Sequence, residues 1–504
     1  MVGGSDLQIC LTGTRSLSIL ATSYFRTARV LSTLRNSKLA AIRRQATIVG
    51  LVALSQSAWS ATYFLSANAT KPGNGTANAP FLTMQRANRA LSPGDTLVIR
   101  DGTYTGRANM LSELPSGLPG QYILYRAENE GKVILSGGLS MSGQNRYLIF
   151  QGLRFHDVSQ KQILGSHLKF FRNEFRGAPL TGNVVTVAIG TNDFTPGAQF
   201  VLMEDNWIHG EGGRYKLLVY NSDSIVLRRN VTRFDGFTST DNAPQADVAL
   251  YDSSNIEVQN SIVLESVHGA ASSQYVAAFY NVCNRTTTMR NVNHFWRGII
   301  AINPRGYLMG TEGQCATVDQ TVEDAVLFGG SYGISQLKGT NIMYSRCTIV
   351  ATSGDGFGIF GGTATVRDSV VYGAGGKAFN GITPTSSVAF ANAGGNVGGT
   401  IMDPRKNGLL YLPRIEAGSA LSVGGTGGGQ RGARIVKRIG ESGTLYGETG
   451  YATTTASDLW PYPNEARIKK EMCEDAKVSR GFCATSESLT KYIFSILSTG
   501  ERVR

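Results

Sequence analysis

Charge is scarce in this chain: 17% of its 504 residues are charged, and proline occupies only 14 positions while glycine occupies 61. That scarcity argues against long solvated helices and for many short strands joined by tight turns. No apolar run is long enough to span a bilayer. No basic run carries interleaved aromatics, and no nucleic-acid-binding motif is recognisable, so a nucleic acid is not the expected partner. None of the six cysteines forms a pair with zinc-finger spacing. The G-x-S-x-G elbow, the phosphate-binding loop, the dinucleotide fingerprint and the metzincin motif are all missing, which leaves a serine-hydrolase triad or a nucleotide enzyme without support. The net charge is +12, but seven basic residues and one acid lie in the first 60 positions, so the remainder carries +6. That mild excess fits an acidic polymer as partner.

Residues 1–60 read as a leader. Lys38, Arg43 and Arg44 precede the short apolar run Ala46–Leu54, and Ala58-Trp59-Ser60 supplies small residues for cleavage before Ala61. The signal lies deep in the chain, so translation is expected to start near residues 30–34, with export to the periplasm or beyond. In an exported protein Cys473 and Cys483, in an otherwise polar segment, are expected to form a disulfide. Cys283 with Cys315 is a second candidate pair, and Cys347 sits where a stacked interior residue would be.

What is present is a degenerate repeat between about residues 133 and 375. An apolar residue, two free positions, an Asn or small residue, a free position and an apolar residue recur in FFRNEF (170–175), MEDNWI (203–208), LRRNVT (227–232), VQNSIV (258–263), YSRCTI (344–349) and VRDSVV (366–371). FQGLRF (150–155) is an early version, and the first five starts are 20, 33, 24 and 31 residues apart. Short β-branched runs at a coil-sized period indicate a strand solenoid. Asn173, Asn206 and Asn230 would form a hydrogen-bonded ladder along its axis, with Ser261, Cys347 and Ser369 as small replacements. Tyr220 and Tyr251 would be stacked neighbours in adjacent coils. A β-propeller needs a period of about 40 residues or more and a blade signature, and neither is present. The varying spacing places loops of different length at one bend, where they would wall a groove.

The stretch YFLSANATKPGNGTANAPFLTMQRANRALSPGDTLVIRDGTY (63–104) resembles the opening of secreted right-handed parallel β-helix proteins of the pectate lyase superfamily, which include polysaccharide lyases and polyuronate epimerases. The matching elements are Gly73, Gly75, Pro80-Phe81, Thr83, Ala87, Pro93-Gly94-Asp95-Thr96 and Gly102-Thr103-Tyr104. With the repeats, the resemblance covers about Tyr63 to Gly399. It implies an all-β chain: a right-handed parallel β-helix over 61–415, capped at its N-terminus by a helix starting after Pro80, with Leu82, Ala87, Ala90 and Leu91 on one face. Residues 416–504 then read as a Gly-rich linker and a small capping segment, with two helices flanking the Cys473/Cys483 loop. Ile468, Met472, Leu489, Tyr492 and Ile493 would pack that segment on the solenoid.

The fold is a weak guide to activity, because it hosts lyases, hydrolases, epimerases and adhesins. The densest polar region runs from Glu204 to His268. A polyuronate lyase must neutralise the substrate carboxylate and remove the proton at C5. The resemblance implies a Lys or Arg base, with its pKa lowered by neighbouring positive charge. Lys216, flanked by Arg214, is the expected base, and Arg233 the expected carboxylate partner. Tyr220, Tyr251 and His268 are candidates for proton transfer or sugar stacking, and His209 and His294 are further acid/base candidates. Arg214, Arg228, Trp296, Arg297 and Arg305 are candidate substrate contacts, and Asp235, Asp241 and Asp247 candidate Ca²⁺ ligands. A glycoside hydrolase would instead pair Glu204 or Asp205 with Asp235 or Asp247. The expectation is a monomeric enzyme that acts on an acidic polysaccharide by β-elimination or C5 epimerisation; the alternatives are a β-helix hydrolase and a non-catalytic carbohydrate binder.

Overall fold

The computed structural model describes residues 60–498 except 181, 183, 192–196, 237–243, 268–275, 285–290 and 475–478. The leader, Asp241 and His268 lie outside the described residues. From Ala58 onward the chain forms one compact unit, built on three parallel sheets of twelve, thirteen and nine strands. From Arg146–Gln151 to Phe379–Asn380 each coil gives one strand to each sheet in turn. Ala198–Glu204 enters the twelve-stranded sheet, Trp207–His209 the thirteen-stranded and Tyr215–Tyr220 the nine-stranded, and the next coil repeats this with Asp223–Arg228, Val231–Thr232 and Gln245–Tyr251. Every pairing within these sheets is parallel and follows chain order. The architecture is a right-handed parallel β-helix, the hand favoured for parallel crossovers.

The repeat motif is the bend between the first two strands of a coil. One residue there adopts a left-handed conformation (φ 57° at Asp205, 50° at Arg229 and 47° at Asn260), which turns the chain sharply and sends the following Asn206, Asn230 or Ser261 into the interior. Asn173 donates to Asn206 Oδ1 at 3.1 Å, and Asn206 donates to Asn230 Oδ1 at 3.1 Å. The ladder continues through the hydroxyls of Ser261, Ser369 and Ser387. Beside it the core is layered: Tyr125, Phe150 and Phe170 stack ring on ring at 5.1 and 4.9 Å.

The capping helix is shorter than the sequence pattern suggests. α1 spans Met84–Asn88, with the Thr83 hydroxyl accepting the Arg86 N–H at its start. Met84, rather than Leu82, is the buried anchor, together with Ala87 and Leu91.

The last coil strand is Thr400–Ile401. The remaining chain runs back along the flank of the solenoid and covers part of the twelve-stranded sheet, at Leu202 and Val226, and the outer face of the thirteen-stranded one. There Trp207, Val231, Ile262, Ile300, Val326 and Val370 join one apolar cluster with Leu409, Leu421, Ile435, Tyr462, Ile468 and Tyr492. The Gly-rich stretch is therefore packed rather than a linker, with α2 (Ala420–Val423) burying Leu421. α3 (Glu465–Met472) and α4 (Leu489–Ser495) flank the Cys473–Cys483 disulfide as expected. Cys283–Cys315 is a second disulfide, and Cys347 is free and buried.

The tail docks by backbone contacts to the left-handed bend residues. Thr426 N–H donates to Asp368 at 2.7 Å, Arg434 N–H to Asp324 at 3.0 Å and Ile439 N–H to Asn260 at 2.7 Å.

Candidate active-site groove

The outer face of the nine-stranded sheet carries a different surface. Its outward residues form three columns. One runs Val185, Tyr215, Ala246, Ala277, Tyr307, Tyr332; the next, Ala188, Leu218, Ala249, Tyr280, Gly310, Ser335; the last, Gly190, Tyr220, Tyr251, Val282, Glu312. Small residues form a floor from which tyrosines project. A cavity of about 300 Å³ opens over the N-terminal coils, lined among others by Gln162, Arg214, Tyr215, Tyr220, Tyr251 and Asn284.

At its centre the Tyr215 and Tyr251 hydroxyls lie 2.5 Å apart. The Arg214 guanidinium donates to the Tyr215 hydroxyl at 3.0 Å and sits over that ring. Burial raises both phenols above their usual value of 10, and the positive charge of Arg214 opposes that rise at each. Its contact with the Tyr215 hydroxyl lets Arg214 favour the phenolate at Tyr215. Glu312, whose negative charge reaches both phenols, accepts a hydrogen bond from the Tyr280 hydroxyl. Burial pushes the Glu312 carboxyl up from its usual 4.5, against the lowering effect of that bond.

Tyr220 and Tyr251 are register neighbours, as the repeat implied, with ring centroids 5.7 Å apart. Arg214, Tyr220 and Tyr251 are brought together, and Arg305 is exposed at the edge of the same sheet. The other residues singled out from sequence go elsewhere. Lys216 is fully buried, with Nζ donating to the carbonyls of Gly210 and Gly212 at 2.6 and 2.5 Å and lying over the Phe234 ring. Burial lowers its pKa to about 8, yet its ammonium is turned away from the groove. Arg233 is buried against Asp235 at 2.9 Å. Trp296 is a core residue, edge-on to Phe279 and donating to Gln320.

Arg228 and Arg297 hold the tail. Arg228 donates to Glu204, Gln259, the Glu441 and Tyr451 carbonyls and Thr444; Arg297 pairs with Glu257 and donates to the Ala452 carbonyl. His209 binds Glu174, and His294 lies in the core with its pKa lowered to about 4 by burial.

Asp235 and Asp247 do not fit a Ca²⁺ site. The Asp235 side chain is buried, faces Arg233 and Arg480 and accepts the Gly210 N–H. Asp247 is buried and accepts the Ser266 hydroxyl, with Lys216 close enough to feel its charge. A divalent ion needs carboxylates not already neutralised by cations. The metal-like grouping found among the described residues, Asp252 with Cys283 and Cys315, has both sulfurs in a disulfide.

One local feature explains the missed residues. Strict alternation counted back from Tyr220 puts Leu218 and Lys216 on the outer face and Tyr215 inside. The strand instead turns two successive residues, Lys216 and Leu217, away from the groove, so that Tyr215 joins Leu218 and Tyr220 outside. The same double step recurs in the next coil at Asp247-Val248. Its sequence signal is a polar residue beside an apolar one at equivalent positions of successive coils. Glu312 lies in a coil that the hexad motif did not register, whereas Tyr280 follows the VQNSIV copy in its own coil.

The fold and groove define the class, a parallel β-helix with an open sheet face. No protein-family model matches the chain. The uncharacterized protein YwoF of Bacillus subtilis (strain 168) is 26% identical over 200 residues, which cover 36% of this chain and 40% of that protein. The chain thus spans less than half the length of that curated relative. Among solved structures, pectate lyase Pel9A aligns over 74% of this chain and 96% of its own, at 15% identity and a TM-score of 0.46. An alginate lyase from Paenibacillus sp. str. FPU-7 covers 56% of this chain and 97% of its own, at 14% identity and 0.37. A GH136 lacto-N-biosidase from Eubacterium ramulus covers 58% and 64%, at 10% identity and 0.38.

Proposed function

We propose that this protein is an exported enzyme that acts on an acidic, uronate-containing polysaccharide by β-elimination or the related C5 epimerisation. The observation that carries this reading is the Arg214–Tyr215–Tyr251 constellation on an otherwise open sheet face. Two disulfides favour an oxidising compartment.

Arg214 pairs with the uronate carboxylate and stabilises the charge that builds on it as the C5 proton leaves. Tyr215, as phenolate beside Arg214, takes that proton. Tyr251 gives its own proton to the departing glycosidic oxygen, and the short hydrogen bond between the phenols returns a proton from Tyr215 to Tyr251. Delivery to the opposite face of C5 instead would give the epimer. Protons balance in either route, and no external acid is required. The hydrolytic alternative loses support because Glu204, Asp205, Asp235 and Asp247, its candidate carboxylates, are turned into the flank beneath the tail or into the solenoid corner.

The test is incubation with alginate, pectate and glycosaminoglycans, followed by ultraviolet absorbance of the unsaturated uronate, reducing-end release and NMR of C5 stereochemistry. Both phenols are held above about 10, so the phenolate fraction, and with it the rate, should climb through the neutral and mildly alkaline range. Binding without any of the three products would support the non-catalytic reading instead.

A further inference from the structure

The groove continues well beyond the phenol pair, and its far end has its own chemistry. From the Tyr215 coil to the coil of Phe360 is five strand spacings, about 24 Å at 4.8 Å each. One and two coils before Phe360, Tyr332 and Tyr307 meet at 5.5 Å. The Phe360 ring lies so close over Gly358 that a Cβ there would come within 2.5 Å of it, and Tyr332 lies over Gly354 in the same way. Phe360 is nevertheless 52% exposed. An aromatic ring laid down on glycine backbone, with much of its surface left in water, is a platform for another flat apolar face. Two lysines are exposed beside them, Lys338 on the Tyr332 coil and Lys377 one coil beyond Phe360. The acid among them, Asp355, accepts the Lys377 N–H and the Asn380 side chain.

Resting on the reading above, we propose that Tyr307, Tyr332 and Phe360, with Lys338 and Lys377, form a distal subsite for the acidic chain itself. Sugar faces stack on the rings, and the lysines answer uronate carboxylates several units away from the reacting bond. The occupant is one continuous polyuronate strand running from Arg214 to Lys377, so the protein favours long chains over short oligosaccharides.

The experiment uses the full chain and its Phe360→Ala and Lys338→Glu/Lys377→Glu variants, with thermal melts as a check on folding. Retardation in gels containing alginate or pectate measures binding, and kcat/KM on polymer against trisaccharide measures chain-length preference. Loss of Phe360 should weaken retardation about fivefold, the contribution of one aromatic contact, and lower the polymer rate more than the trisaccharide rate. The charge reversal should weaken retardation further, with the difference vanishing at high salt. Wild-type protein that migrates alike with and without polyuronate overturns the proposal, as do folded variants that match the wild type or lose polymer and trisaccharide activity equally. Retardation that depends on Phe360 without any product formed would sustain the subsite and overturn the catalytic reading alone.

Discussion

The covered flank and the bare face of this solenoid are built from the same coils, yet they use charge in opposite ways. Along the flank, Arg228, Arg229, Glu204 and Asp205 are buried together under the tail, each carboxylate matched by guanidinium at 2.5–2.9 Å. On the bare face a single guanidinium, Arg214, stands beside two phenols in an open cavity. Charge density in a sequence therefore marks the tail-binding flank here. Buried ion pairs must come in matched sets because an unmatched one is costly, whereas a reactive groove needs only a few charges left available to a ligand.

The strongest way to break this contrast is to remove one phenol. Tyr251→Phe should lower elimination by about 10²–10⁴-fold, the range for a positioned proton donor, with little change in stability. Steady-state rates and a thermal melt decide it, and full activity would displace the reaction from this face. Arg228→Ala should do the reverse. It leaves Glu204 buried beside fewer cations and strips the loop at 441–451 of its anchors, at a cost of about 3–5 kcal/mol in denaturant unfolding. The folded fraction should keep its rate.

A smaller effect comes from pH. Burial lowers Lys161 and Lys216 to about 8 from 10.5. Above pH 8 the folded chain has released protons that the unfolded chain still holds, so stability should rise from about pH 8 towards 10. Past about 10 the tyrosines raised by burial, Tyr125 and Tyr344 among them, reverse the trend, since the unfolded chain ionises them first. Urea titrations across this window check the slope. Lys216→Met should flatten it while the elimination rate stays near wild type; loss of turnover in a stably folded variant would restore Lys216 as the base. The smallest effect expected is that of Cys473→Ser/Cys483→Ser. The pair closes a loop of sequence separation 10, and its loss should cost about 2–3 kcal/mol on the tail, read as a lower melting temperature with the groove intact.

Much of the architecture was legible because its cause is local. Asn173, Asn206 and Asn230 follow bends that repeat in the chain, and a buried amide must find a partner, so their ladder could be anticipated. The Tyr220–Tyr251 register follows from the same repeat. Lys216 could not be placed this way. Period-two reading assumes an unbroken strand, and the double inward step beside Leu217 reverses which of Tyr215 and Lys216 faces the groove. Nor could Arg228 or Arg297 be separated from Arg214 by residue type, since the difference lies in a tail more than 150 residues further along the chain.

By itself, then, the sequence determined the solenoid, its ladder, its N-terminal cap and the Cys473–Cys483 pairing, because each rests on side-chain patterns repeated or closely spaced along the chain. Only the tertiary structure decided that the tail covers the thirteen-stranded sheet and part of the twelve-stranded one. That outcome depends on where residues 403–498 fold back, and their apolar contacts with Trp207, Ile262 and Val326 join positions far apart in the chain. By burying one set of charges, the tail leaves Arg214, Tyr215 and Tyr251 on the face that remains open.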